Sequence, residues 1–252
     1  TSAEGLEKTP GRLQKLMQFL TEKEMIVGIF GAGGVGKTTL AKFLSGDPSY
    51  QRPDYIQSDR IDDYKIEQRI RGRYLVAPGQ SERVDQYWPK LFREISQGNI
   101  THIINVVAYG YHAIRPEDLD EYRTSSGFNL AQYLSDKRQT EIELIDALHH
   151  HIKICQKPIR MTTVVAKQDL WWDEKTEVES HYRTCSYNEK IEAIRSQLGN
   201  EHFQHDFVSA SFLINNLRLK ENVIQATANG YDEYLRQGNI ENFVDYIRNS
   251  IY

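Results

Sequence analysis

Apolar and polar residues alternate along this 252-residue chain in blocks that predict strands and helices in succession. Short apolar runs, which are typical of buried strands, occupy residues 25–30, 103–109, 159–165 and 207–210. Apolar residues at helical spacing occupy 140–155, 187–198 and 231–251. Strands that alternate with helices are typical of a mostly parallel sheet covered on both faces, so the pattern predicts a three-layer α/β fold.

Two neighbouring segments predict a hairpin at one edge of that sheet. Residues 64–70 and 73–76 have the character of strands, and Gly72 between them predicts a tight turn. The hairpin follows an exposed loop at 45–59 that contains two prolines and no periodicity. This order predicts one antiparallel edge strand in an otherwise parallel sheet.

Two further segments extend the predicted domain. A helix is predicted over 12–20, where one helix face carries Leu13, Leu16, Met17 and Leu20. Residues 1–24 are therefore expected to form a helical extension before a domain at 25–252. Within that domain, residues 110–135 are polar and irregular, which predicts an insertion.

Charge and composition narrow the class of protein. The chain has 31 Lys and Arg against 35 Asp and Glu, a net charge of −4, which gives no support for nucleic-acid binding. No apolar run approaches the roughly 20 residues that cross a bilayer, so no membrane span is expected. Cys155 and Cys185 are too few for a disulfide framework and are expected to be reduced thiols. The expected location is cytoplasmic.

The first strand leads into a glycine-rich stretch with the pattern G-x-x-x-x-G-K-[ST]. Its fixed positions are Gly31, Gly36, Lys37 and Thr38. Glycines let backbone N–H groups turn toward a phosphate, and the following helix directs its positive dipole end at the same anion. Lys37 would contact the β- and γ-phosphates, and the Thr38 hydroxyl would coordinate Mg²⁺. The other residues of this cradle are Gly33, Gly34, Val35 and Thr39.

The stretch predicts a nucleoside-triphosphate site in a P-loop NTPase fold. Ligand sites in such sheets lie at the carboxyl ends of the strands. Four residues lie at or near the carboxyl ends of predicted strands, namely Gly31, Gly79, Asp169 and Ser209. We therefore expect these residues to converge in space.

Residues 31–38 closely resemble the phosphate loop of Ras-like small GTPases, and the resemblance covers about 25–211. In that family a later strand ends in D-x-x-G, usually followed by Gln. Here Gly79 and Gln80 match, and Val76 replaces the aspartate. The resemblance implies that the Gly79 amide senses the γ-phosphate, that Gln80 orients the attacking water, and that Lys37 stabilises the transition state. The missing carboxylate would have contacted Mg²⁺, so its loss bears on metal affinity and hydrolysis rate.

A later loop resembles the guanine-reading motif N-K-x-D of the family. Residues 166–169 are Ala-Lys-Gln-Asp, so Lys167 and Asp169 match and Ala166 replaces the amide that braces the loop. The resemblance implies that the Asp169 carboxylate accepts from the guanine N1–H and 2-amino groups. Lys167 would lie along the plane of the base.

Two more loops extend the resemblance. Ser209 and Ala210 resemble the start of the family's S-A-K loop, which implies that the Ala210 N–H donates to the guanine O6. Switch I of the family supplies a Thr or Ser to Mg²⁺, and the spacing of Ser58 resembles that in the Arf-like branch. Ser58 is thus the expected second metal ligand, and Ser49 is a poorer alternative. Residues 80–92 resemble a mobile switch helix.

The resemblance implies a GTP-binding protein that hydrolyses GTP slowly and acts as a switch through loops at about 46–60 and 77–92. GTP or GDP is its ligand, Mg²⁺ its cofactor, and an effector or activating protein its partner. An arginine finger would come from Arg60, from Arg83 or from a partner. The alternatives are a nucleotide-binding pseudo-GTPase scaffold with little turnover and an ATP-using P-loop enzyme. Homodimerisation through the switches is left open.

Overall fold

The computed structural model of this chain describes residues 25–51, 61–66, 72–79, 81–219 and 222–251. The predicted 1–24 extension with its helix lies outside the described residues. Ser58, Arg60 and Gln80 also lie outside them, as does the side chain of Arg83.

Strands and helices alternate along the described chain, as the hydrophobic pattern predicts. The strands are β1 (Met25–Phe30), β2 (Asp62–Ile66), β3 (Gly72–Val76), β4 (Ile100–Val107), β5 (Arg123–Thr124), β6 (Gly127–Phe128), β7 (Ile159–Val165), β8 (Phe203–Ser209), β9 (Leu217–Leu219) and β10 (Asn222–Gln225). The helices are α1 (Lys37–Leu44), α2 (Ser81–Ser96), α3 (Pro116–Glu121), α4 (Leu130–Ile152), α5 (Gln168–Trp171), α6 (Lys175–Thr184), α7 (Ser186–Leu198) and α8 (Glu233–Ile251).

The main sheet confirms the predicted class. Six of the described strands form it in the order β2-β3-β1-β4-β7-β8. Every neighbouring pair is parallel except β2 with β3, so β2 is the antiparallel edge strand. Helices α2, α4 and α7 lie side by side, and α1 contacts α8 through the rings of Phe43 and Phe243. The result is a three-layer α/β fold.

The burial of β4 and β7 explains why their apolar runs were clear in the sequence. β4 and β7 are paired on both edges and buried along most of their length, so both faces need apolar side chains. The predicted bounds of β7, 159–165, agree with the structure. β4 begins at Ile100 and β8 at Phe203, both earlier than predicted. Their first positions include polar residues, so the apolar run marked only the later part of each strand.

The predicted turn at Gly72 is wrong. Gly72 is the first residue of β3 and pairs with Ile66 of β2 and with Met25 of β1. The connection between β2 and β3 falls at 67–71, which the structure does not describe. A glycine between two strand-like segments can lie within a strand, and here it does.

Residues 110–135 are more regular than their polar sequence predicts. They contain α3, the β5–β6 hairpin and the start of α4, which begins at Leu130 and not near residue 140. The Asn129 side chain accepts the Gln132 N–H at 3.2 Å and caps α4. Only Tyr133 and Leu134 are buried in its first two turns, so the spacing of apolar residues there does not predict a helix.

Other local features also differ from expectation. Helix α2 extends from Ser81 to Ser96, past the end of the 80–92 segment that resembles a switch helix, and the β9–β10 hairpin was not predicted. Among the described residues, no helix is both long and apolar enough to span a membrane.

Candidate functional site

The loop between β1 and α1 takes backbone conformations that require glycine. Gly31, Gly34 and Gly36 have φ angles of 137°, 77° and 106°, in a region that side chains rarely adopt. A Cβ on Gly31 would lie 2.2 Å from the Val106 carbonyl oxygen, and one on Gly34 would lie 2.5 Å from the Ala113 nitrogen. The loop is therefore held closely against the end of β4 and the segment after it.

Lys37 opens α1 and turns its ammonium into this loop. The side chain is buried, and Nζ donates to the carbonyl oxygens of Gly31 at 2.9 Å and Ala32 at 2.7 Å. Burial lowers the pKa of Lys37 to about 7. In the described part of the chain, only neutral carbonyl groups bind Nζ, so an anion would supply the opposite charge to its protonated form.

The segment after β3 covers the lysine. The Ala77 N–H donates to the Ile29 carbonyl at 2.8 Å, which continues the pairing of β3 with β1. A Cβ on Gly79 would lie 2.2 Å from Lys37 Nζ and 2.6 Å from the Ala32 carbonyl oxygen. The fold thus brings Gly79 against the glycine loop, where a backbone amide can face a phosphate.

A tryptophan of α2 holds the same segment in place. Trp88 is buried and donates from Nε1 to the Pro78 carbonyl at 2.7 Å. Its ring packs edge-on against Phe30 and Phe92, with centroids 5.4 Å and 5.3 Å away. The sequence marked Trp88 as part of a switch helix but gave no sign of this backbone contact.

Val76, which stands where an aspartate was expected, is fully buried. It pairs with Ile29 in the parallel register and with Asp62 in the antiparallel one. Within the described residues, no group of three His, Cys, Asp or Glu side chains is placed to hold a metal ion. A Mg²⁺ ion at Thr38 would therefore depend mainly on phosphate and water oxygens for its remaining ligands.

The loop at the end of β7 places Asp169 in a closed environment. Asp169 is 2% exposed, and its Oδ1 accepts a short hydrogen bond from the Ser211 hydroxyl. Its Oδ2 accepts from the Asn215 N–H at 2.9 Å. Burial raises the pKa of Asp169, although the hydrogen bonds from Asn215 and Ser211 oppose that change. Both oxygens of the predicted base reader are therefore engaged by residues after β8.

Lys167 joins this loop to the segment after β4. Its backbone is left-handed, with φ 55°, and its Nζ donates to the Tyr111 carbonyl at 2.6 Å. Burial lowers the pKa of Lys167 to about 8. Trp171, which is buried, donates from Nε1 to the Ala166 carbonyl at 2.8 Å and so braces the loop that lacks the expected amide.

The predicted S-A-K-like loop continues the pairing of β7 with β8. The Ala210 N–H donates to the Val165 carbonyl at 3.1 Å and adds a rung between β7 and β8 beyond Ser209. A guanine O6 would have to share or replace that bond. Ser211, in the place of the usual lysine, is the residue that contacts Asp169.

Residues after β10 cover the same loop. The Ala228 N–H donates to the Asp169 carbonyl at 2.7 Å, and the Tyr231 hydroxyl donates to the Gln168 side chain at 3.2 Å. These contacts have no sequence motif, because they join residues that are distant in the chain. Residues 211–215 and 228–231 therefore lie against the base-side loop.

Sequence-predicted residues thus form two groups at the carboxyl edge of the sheet. One contains the 31–38 loop with Gly79, and the other contains Lys167, Asp169 and the residues after β8. Residues 108–113, which no motif marks, contact both groups: the Ala113 N–H donates to the Gly34 carbonyl at 3.1 Å, and Lys167 reaches the Tyr111 carbonyl. No protein-family model and no curated protein matches the chain.

Proposed function

We propose that this chain is a GTP-binding protein that hydrolyses GTP slowly and acts as a nucleotide-dependent switch. The observation that carries the proposal is the glycine loop at 31–38, with the Lys37 ammonium buried inside it and Gly79 packed against it. Such a loop before a helix is suited to a polyphosphate, because its amides, its lysine and the helix dipole all favour negative charge.

Each residue has a proposed role in the reaction. Lys37 and the loop amides bind the β- and γ-phosphates, and the Gly79 amide senses the γ-phosphate. Gln80 orients the attacking water. Mg²⁺, held by the Thr38 hydroxyl and by Ser58, would neutralise phosphate charge when bound.

On the base side, we propose that Asp169 specifies guanine, with Lys167 along the base and Ser209 and Ala210 beside O6. A carboxylate oxygen can accept two hydrogen bonds, so the bonds from Ser211 and Asn215 leave capacity for the guanine N1–H and 2-amino groups. Because Asp169 is 2% exposed, residues 211–216 must move for a base to reach it.

The switch segments are proposed at 46–60 and 77–92, which GTP would order and hydrolysis release. An effector or activating protein would bind there. Cys155 and Cys185 are free thiols, which agrees with a cytoplasmic setting.

A second candidate is favoured by one observation, the fully buried Val76 in place of a carboxylate. A nucleotide-bound scaffold with little turnover would need the phosphate loop but no strong metal site. Turnover with and without Mg²⁺ separates the two, because a switch releases phosphate in a Mg²⁺-dependent reaction and a scaffold does not.

The base assignment is tested by titrating fluorescent GTP, ATP and xanthosine triphosphate in the presence of Mg²⁺. Wild-type protein is expected to prefer GTP over ATP by about a hundredfold or more, because a buried acceptor rejects a base without the matching donors. In Asp169→Asn the preference should move to xanthosine triphosphate, since the new amide can donate to the C2 carbonyl of xanthine.

Asp173→Asn is the matched control, because Asp173 is an exposed acidic residue close by in the chain. It should keep the wild-type preference. Equal or tighter ATP binding that Asp169→Asn does not change would support an ATP-using enzyme and contradict the guanine assignment.

A further inference from the structure

A fully buried carboxylate lies behind the site, in α4. Glu141 is 1% exposed, and its Oε1 accepts the N–H groups of Ala108 at 2.8 Å and Gly110 at 3.3 Å. The same oxygen lies 2.9 Å from His112 Nε2, and Oε2 accepts the Tyr182 hydroxyl at 2.6 Å. No motif contains Glu141, and the proposed reaction does not use it.

This carboxylate is held in its ionised form. Burial acts to raise the pKa of Glu141, but hydrogen bonds from His112, Tyr182 and Ala108 outweigh it and lower the pKa. Several donors offset part of the cost of burying this charge, and among the described residues the Tyr182 hydroxyl is the one hydrogen-bond donor to Oε2. The arrangement therefore stabilises one conformation of residues 108–112.

The conformation that it stabilises is a strained one. Tyr109 and Gly110 have φ angles of 52° and 82°, two consecutive left-handed residues, and the first is not glycine. The Tyr109 N–H donates to the Tyr182 hydroxyl at 2.8 Å, so Glu141 and Tyr182 together bind the N–H groups of three consecutive residues. A Cβ on Gly110 would lie 2.3 Å from the Leu134 carbonyl oxygen, which shows how closely α4 approaches.

Residues 108–113 in turn contact both halves of the site. Ala113 binds the Gly34 carbonyl in the phosphate loop, and the Tyr111 carbonyl binds the Lys167 ammonium in the base-side loop. A change in this segment would therefore alter the phosphate and base contacts together. Among the described residues, no other hydrogen bond of Gly34 or Lys167 joins its loop to residues 108–113.

We propose that Glu141 is a positioning residue for nucleotide binding, which acts by fixing residues 108–113 between the phosphate loop and the base-side loop. The inference rests on the proposed nucleotide-binding function. Tyr182 is its partner, since one hydroxyl binds both the carboxylate and the Tyr109 N–H. Neither residue touches the nucleotide in this scheme.

Two tyrosines provide a matched pair for the test. Tyr182 and Tyr187 are both fully buried, and their ring centroids lie 5.0 Å apart. The Tyr187 hydroxyl accepts from Asn105 at 2.8 Å and is hydrogen-bonded to Thr163 at 3.0 Å. Each Tyr→Phe change removes one buried hydroxyl with two partners, but only Tyr182→Phe affects residues 108–113.

The experiment measures GTP and pyrophosphate affinity by calorimetry, together with the melting temperature, for wild type, Glu141→Gln, Tyr182→Phe and Tyr187→Phe. Glu141→Gln and Tyr182→Phe are expected to weaken GTP binding by about tenfold, a typical coupling between distinct sites, and to weaken pyrophosphate binding as well. Tyr187→Phe should lower the melting temperature to a similar extent but keep both affinities within about twofold.

Unchanged GTP affinity in Tyr182→Phe, or equal losses in Tyr182→Phe and Tyr187→Phe, would overturn the proposal. If Glu141→Gln does not fold, the comparison of the two tyrosine variants still decides. Wild-type protein that binds neither GTP nor pyrophosphate would instead contradict the nucleotide-binding function itself, and the positioning role with it.

Discussion

At the scale of single residues, the candidate site depends on glycines that no larger residue can replace without strain and on one buried lysine. Gly31, Gly34 and Gly36 occupy left-handed backbone, and Gly79 lies where any Cβ would meet backbone atoms. Lys37 is buried among carbonyl groups with no carboxylate bound to its ammonium in the contacts seen here. Both features support the proposed anion site.

Replacement of Gly79 by alanine should weaken nucleotide binding. The new Cβ would lie 2.6 Å from both C and O of Ala32, so the loop or the 77–79 segment must shift. We expect a loss of about 1–3 kcal/mol in stability from overpacking, and a fall in GTP affinity measured by titration. Gly238→Ala is the control, because nothing lies within 4 Å of its added Cβ in α8, and it should leave GTP affinity unchanged.

Nucleotide affinity should decrease as the pH rises above neutrality. The pKa of Lys37 is lowered to about 7 by burial, so the ligand-free protein loses this proton above that pH. A bound phosphate favours the charged form and raises the pKa, so binding at about pH 8 must take up a proton. Calorimetry in two buffers with different ionisation enthalpies measures this uptake, and its absence would contradict the buried, deprotonated lysine.

At the scale of secondary-structure elements, strand ends and helix starts set the geometry of the site. Glycine loop residues follow β1, Gly79 follows β3, residues 108–113 follow β4, and Lys167 follows β7. Helix α2 contributes through Trp88, which binds the backbone of the segment that precedes it. The position of Gly79 is therefore coupled to the packing of α2.

Trp88→Phe should loosen the 77–79 segment while it keeps an aromatic ring in the core. The change removes the hydrogen bond to the Pro78 carbonyl and leaves a buried acceptor unsatisfied, a loss of about 1–3 kcal/mol in the free energy of unfolding. We expect discrimination between GTP and GDP to fall, as measured by their two dissociation constants. Phe92→Leu, which alters the same aromatic cluster but no hydrogen bond to this segment, should retain that discrimination.

At the scale of the whole molecule, the central strands and the site are expected to differ in local stability. β4 and β7 are paired on both sides and buried, whereas β2 lies at an edge of the sheet. Regions with few buried contacts open first, so strands paired on both sides should be protected from exchange more than the edge strand β2.

Hydrogen exchange measured by mass spectrometry should find the slowest amides in β4 and β7 and faster ones in β2. Addition of GTP with Mg²⁺ is expected to slow exchange in residues 31–38, 108–113 and 211–216, because those segments contact the site or cover it. ATP at the same concentration should protect 31–38 without comparable protection at 211–216. Identical protection by the two nucleotides would contradict a base-specific role for Asp169.

The sequence by itself determined the layer architecture and the glycine loop between β1 and α1. Apolar runs predicted β1, β4 and β7 because a strand buried on both faces carries mostly apolar side chains. The spacing of Gly31, Gly36 and Lys37 reflects the local geometry of one loop. Polar segments such as the start of α4 were not found, since few buried side chains mark them.

Only the tertiary structure decided how the predicted residues are connected. The bonds of Asp169 to Ser211 and Asn215, and those of Glu141 to residues 108–112, join parts of the chain that are far apart in sequence. The hydrogen-bond partners of a buried polar group depend on which parts of the chain the fold brings together. A local sequence pattern does not contain that information. The motifs thus predicted the candidate site, and the long-range hydrogen bonds determined how its residues are arranged.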